Sequence, residues 1–160
     1  VIDQAYEEVT ALRDIFAENM DLRKILNSPK ISREEKAQII HTIFEHQVSD
    51  MLMGFLIAVV NKGRQAEFER IFSYFISIVK EYKGIGVASV VSAMPLTKSQ
   101  EEEIEKKLLA TTEYNQMEMN YSVDESLIGG MTIRIKDRVI DSSIKTKLYN
   151  IKKNLLNVQI

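Results

Sequence analysis

The chain has 160 residues, 45% of them hydrophobic, which is enough to bury a core in one ordinary domain or two small ones without help from metal or disulfides. It has no cysteine, which excludes disulfides, thiolate nucleophiles and thiolate metal sites together. A formal net charge of -2 and a pI near 5.8 supply no basic field for nucleic acid or anionic lipid.

In chain order, Ile2, Ala5, Val9, Leu12 and Phe16 repeat at three and four, the stripe of an amphipathic helix already under way at the first residue. No start methionine or capping residue precedes it, so the chain reads as truncated at its N-terminus. A shorter apolar set, Met20, Ile25 and Leu26, follows before Pro29 ends the pattern. Ser32 and Glu35 have capping-box spacing and open a helix expected to turn Ala37, Ile40, Ile43 and Phe44 inward and to stop near His46. A further helix is expected from about Val48 to Lys62, with Gly63 as its left-handed terminator. The last helix of this half carries Phe68, Ile71, Phe72, Phe75, Ile76 and Val79 and ends at Lys83, where Gly84 and Gly86 break it.

From Gly86 the period changes from 3.6 to 2, which marks a domain boundary and divides the chain into residues 1–83, a helical bundle, and 84–160, a small two-layer α+β domain. The glycines at the joint allow some bending between the two. Val87 to Val91 reads as a strand. Thr97 with Gln100 offers a second capping box, opening a helix with Ile104, Leu108 and Leu109 on one side. Met117, Met119, Tyr121 and Val123 alternate with polar residues, as do Met131, Ile133 and Ile135, giving strands wet on one face and dry on the other. Val139 and Ile140 extend the sheet beyond a turn at Asp137. Asp141 or Ser142 then caps a final helix whose Ile144, Leu148, Ile151 and Leu155 face the sheet.

No catalytic constellation appears. His41 and His46 are five apart, not the three or four that stack ligands on one helical face. Gly84-Ile85-Gly86 follows a helix and precedes a strand, the reverse of a phosphate loop, and Gly129-Gly130 also lacks a following helix. Asp124, Glu125, Asp137 and Asp141 sit at turns and caps, where short carboxylates serve local hydrogen bonds. The expectation is no catalytic residue, no cofactor and no metal.

The segment Val48 to Lys62 is the exception to an ordinary amphipathic reading. Met51, Leu52, Phe55, Leu56 and Val59 make one apolar stripe, and Met53, Ile57, Ala58 and Val60 make another. A helix apolar all round must be covered all round. Either it is a central core helix, or one flank is a docking groove for a partner helix, which the adaptable thioethers of Met51 and Met53 would suit.

Three runs then match something specific. Val90-Val91-Ser92-Ala93-Met94-Pro95-Leu96 before a capped helix, Val123-Asp124-Glu125-Ser126-Leu127-Ile128-Gly129-Gly130-Met131, and Val139-Ile140-Asp141-Ser142-Ser143-Ile144-Lys145 with a closing Leu148 together resemble the delta subunits of bacterial F-type ATP synthases. Their mitochondrial counterpart is the oligomycin-sensitivity-conferring protein. Asn61-Lys62-Gly63-Arg64 looks like that family's junction between two helices, where the second place is often acidic. The chain departs from the family at Lys136 and Ser142, where glycine is common.

The resemblance implies a bundle of six N-terminal helices, of which five at most are present, so that the first is missing. It also implies a non-catalytic stator subunit linking the catalytic head to the peripheral stalk during proton-driven ATP synthesis. The bundle would bind the N-terminal helix of an alpha subunit in a groove between the family's first and fifth helices, the fifth being Val48 to Lys62 here, through Met51, Met53, Phe55, Leu56, Ile57 and Val60, with part of the double stripe covering the absent first helix. The C-terminal domain would meet the b subunits. One copy per complex is implied, peripheral to the membrane, on the cytoplasmic face of a bacterial plasma membrane or, alternatively, the matrix side of the mitochondrial inner membrane. Two rival readings are a generic helical adaptor and an RNA-binding α+β module. The second lacks a basic field and lacks strand aromatics beyond Tyr121.

Overall fold

A computed structural model of the protein describes residues 1–141. The chain divides into two compact units, Val1–Lys80 and Glu81–Ile160. The first is all helical: α1 (Ile2–Glu18), α2 (Met20–Asn27), α3 (Arg33–Phe44), α4 (Asp50–Asn61), a single 3-10 turn at Gln65–Glu67 and α5 (Phe68–Tyr82), whose last two residues belong to the second unit. The second contains β1 (Ile85–Ser92), α6 (Lys98–Thr111), β2 (Gln116–Val123), β3 (Met131–Ile135) and β4 (Arg138–Asp141).

The helical unit is organised around four phenylalanines. Phe16 stacks on Phe44 at 6.0 Å between ring centres and meets Phe68 at 5.1 Å and Phe72 at 5.5 Å, tilted and edge-on. Each ring is fully buried, a contribution of roughly 1.5–3 kcal/mol for a phenylalanine, with about 0.5–1.5 kcal/mol more for each favourable ring pair. Val9, Leu12, Leu22, Leu26, Ile40, Leu52, Leu56, Val59, Val60 and Ile76 complete this core.

Local chemistry sets the helix ends. The Ser32 hydroxyl accepts from the Glu35 amide at 3.2 Å while the Glu35 carboxylate accepts from the Ser32 amide at 2.8 Å, so both bonds of the expected capping box form. α4 ends at Gly63, whose φ of 69° lets its amide donate to Val60 and that of Arg64 donate to Val59. This paired pattern satisfies the last carbonyls of the helix and favours a residue without a side chain.

Two of the expected inward sets are sorted differently. In α2 the buried pair is Leu22 and Leu26, while Met20 and Ile25 are exposed. In α3 the buried line is Lys36, Ile40 and Phe44, and Ile43 turns outward. A strict four-residue repeat wins in both because helices this short present one row to their neighbours.

In the second unit the strand order is β2-β1-β3-β4, with β1 parallel to β2 and antiparallel to β3. A parallel pair needs a long crossover, which α6 supplies. Thr97 and Gln100 cap α6 reciprocally. Ile104 and Leu108 lie over Ala88, Val90, Met117 and Ile135, so one face of the sheet is dry. Tyr121 lies on that inner face, half-buried, and its hydroxyl donates to the Glu101 carbonyl at 3.2 Å. Burial, with the nearby charges of Glu101 and Glu105, holds the phenol above its ordinary pKa.

The glycines read from the sequence as a flexible joint are built into this unit. Only two residues separate α5 from β1, and the Gly84 carbonyl accepts from the amides of Asn115 and Gln116. A Cβ on Gly86 would lie 2.5 Å from the Met117 sulfur and 2.6 Å from the Tyr114 ring, so close packing, not slackness, explains that glycine. Glu81 is tied to the same unit by Lys136 Nζ at 2.7 Å and by the Tyr114 hydroxyl at 3.2 Å. The Lys136 hydrogen bond holds the Glu81 carboxyl below its usual range. Lys136 occupies a turn with φ of 52°, a glycine-like conformation held by lysine. At the other expected turn, Asp124 Oδ1 accepts from the Ser126 amide at 2.9 Å, the local role expected of it. The expected closing helix with Ile144, Leu148, Ile151 and Leu155 lies outside the described residues.

Candidate partner-docking face

α4 is held at both ends by side chains from other helices. At its entry the Ser49 amide and hydroxyl both donate to Glu8 Oε2 of α1, at 3.1 and 2.8 Å, and Gln4 Nε2 donates to Glu8 Oε1 at 2.8 Å. Burial pushes the Glu8 carboxyl up, but these three hydrogen bonds outweigh it and hold it below its ordinary value. At the exit Arg33 Nη1 donates to the Asn61 carbonyl at 3.1 Å, a cation at the negative end of the helix dipole. Neither partner was legible in the sequence. Glu8 lies 41 residues from Ser49 and Arg33 lies 28 from Asn61, and no local spacing signals such pairs.

The six residues singled out on this segment fall into three groups. Leu56 and Val60 are fully buried and, with Leu52 and Val59, form the inner face of α4. Met53 and Ile57 are half-buried, and Met53 packs against the core. Met51 and Phe55 are 68% and 40% exposed. The structure therefore assigns the two apolar stripes differently from the simplest reading of their spacing. The buried arc takes in Leu52, Leu56, Val59 and Val60 because the core and the neighbouring helices flank α4 over more than one ridge.

The outer line of α4 is Met51, Gly54, Phe55 and Ala58, all exposed, at the spacing i, i+3, i+4, i+7. In the sequence Ala58 belongs to the second stripe, and Gly54 is not singled out. A Cβ built on Gly54 meets nothing within 4 Å. The stripe is thus a shallow apolar saddle: two small residues let a backbone approach, and Met51 and Phe55 stand as walls. An exposed apolar stripe at this spacing is the kind of surface that amphipathic helices lie against.

Nothing in the described residues assembles reaction chemistry. His41 and His46 are exposed, each within 4.0 Å of Glu45, and no three His, Asp or Glu side chains gather in a metal-binding group among the described residues. No described helix is long and apolar enough to cross a membrane.

Residues 1–155 match the family model described as ATP synthase delta (OSCP) subunit. The chain is 49% identical to the ATP synthase subunit delta of Lachnoclostridium phytofermentans, over 99% of this chain and 87% of that protein. It is 30% identical to the chloroplastic ATP synthase subunit delta of Guillardia theta, over 96% of this chain and 83% of that one. The fold also resembles a chain of the Toxoplasma gondii mitochondrial ATP synthase hexamer, with a TM-score of 0.73 at 20% identity, covering 96% of this chain and 87% of the other. On the extent of the family match and the identity to its bacterial relative, the chain belongs to the ATP synthase delta (OSCP) subunit family.

Proposed function

We propose that this chain is a structural, non-catalytic subunit of an F-type ATP synthase, the connector that holds the catalytic head against the peripheral stalk. The observation that carries the reading is the family match over residues 1–155, and the exposed apolar stripe on α4 supports it. Rotation of the central rotor exerts torque on the head. A connector resists it through durable contacts at two ends and needs no active site.

At the head, the N-terminal helix of an alpha subunit lies along Met51, Gly54, Phe55 and Ala58. Met53 and Ile57 flank the seat, and Leu56 and Val60 back it from the core. Burying two or three such side chains contributes roughly 1.5–3 kcal/mol each before ordering is subtracted. At the stalk, the C-terminal unit meets the b subunits. One copy serves each complex, peripheral to the cytoplasmic face of a bacterial plasma membrane, a setting supported by the bacterial relative.

The experiment is reconstitution. Membranes stripped of head and delta subunit are mixed with purified head, with and without this chain. Restored head binding and coupled ATP synthesis only when the chain is present is the expected result; equal restoration without it refutes the proposal.

A further inference from the structure

We infer that Glu8 is a positioning residue for partner docking: from α1 it grips Ser49 and so fixes the entry of α4 and the pitch of the Met51–Ala58 stripe. The inference rests on the docking reading above.

A serine before a helix ordinarily accepts a hydrogen bond from an amide in the first turn. Ser49 makes no such bond; its hydroxyl and its amide both donate to Glu8 Oε2. The entry of α4 is therefore anchored to another helix and not closed on itself. Met51, the most exposed apolar side chain of the stripe, lies only two residues beyond this anchor. Gln4 holds the second carboxylate oxygen, so the Glu8 side chain is restrained from both sides. A carboxylate beside a helix N-terminus is also favoured by the helix dipole.

Without Glu8 a local alternative exists. Released from Glu8, the Ser49 side chain can turn so that its oxygen accepts from the first turn, as serine caps usually do, and α4 retains a capped end. What is lost is the tie to α1. The predicted defect is thus in the placing of the stripe more than in the survival of the fold.

The test compares the whole chain as wild type, Glu8→Ala, Glu8→Gln and Phe55→Asp. The probe is a synthetic peptide of the alpha subunit's N-terminal segment, with binding measured well below the thermal midpoint of every variant and amide exchange read at Ser49 and Met53. For Glu8→Ala we expect exchange at Ser49 to rise about tenfold, which is about 1.4 kcal/mol, with the amides of residues 56–60 unchanged. Peptide Kd weakens about five- to tenfold, the range a lost cap can supply. Glu8→Gln, whose amide oxygen can still accept from Ser49, recovers most of both effects. If Phe55→Asp abolishes binding while Glu8→Ala leaves Kd unchanged, the positioning role is refuted and the docking seat stands. If Ser49 exchange is unchanged in Glu8→Ala, the anchor itself is refuted. If Phe55→Asp binds as wild type does, the docking reading fails and takes this inference with it.

Discussion

Gly54 separates the folding role of α4 from its docking role. It lies inside α4, where glycine is less favourable than alanine by about 0.8–1.0 kcal/mol. A Cβ added there meets no atom within 4 Å, so no steric loss offsets the gain. Gly54→Ala should therefore stabilise the first unit by about 0.8–1.0 kcal/mol, which for a domain of that size raises the thermal midpoint by about 4–8 °C. Gly54→Leu should keep most of that gain, since leucine is nearly as good a helix former. It should also stand a side chain in the middle of the saddle and weaken binding of the alpha N-terminal peptide at least about tenfold, equivalent to 1.4 kcal/mol. Scanning calorimetry and fluorescence anisotropy on the same preparations give both numbers. A Gly54→Leu variant that is more stable and still binds with wild-type affinity would exclude the stripe as the docking seat. A destabilised Gly54→Ala would show that the site is not open helix surface.

Adjacent residues of α4 should divide in the same way. Leu56→Ala, in the core, should cost about 2–5 kcal/mol of stability, whereas Phe55→Ala should change stability little and reduce peptide affinity; denaturant midpoints paired with titrations check both. Gly86→Ala should destabilise the second unit by about 1–3 kcal/mol, because its Cβ would overlap Met117 and Tyr114, and loss of the second unit's cooperative transition is the measure. Glu8 sets a pH window. Its folded pKa lies below the ordinary 4.5, so its contribution is complete above that value and is lost as the pH falls through the lower folded value. Acid titrations of stability should be shallower there for Glu8→Gln than for wild type, and identical slopes would contradict the assignment.

The elements were legible because their signals are local. Both capping boxes, the Gly63 stop and the change of period near Gly86 depend on residues within a turn of each other, and all are present in the structure. The family, too, was legible, from runs of residues in fixed order. The candidate seat was legible only as a segment. An all-apolar helix announces that it is covered, but its own spacing cannot say which arc the rest of the bundle covers.

That arc was decided by packing. Leu56 and Val60 face inward and Met51 and Phe55 outward because the phenylalanine core and the neighbouring helices determine how α4 is rotated about its axis. The anchors at Glu8 and Arg33 arise the same way, from side chains distant in sequence brought together only when the helices pack. Sequence alone specified the described helices and strands, since these follow from short-range periodicity. Tertiary structure alone specified which apolar surface of α4 is exposed, since exposure is a property of what lies beside a residue in space.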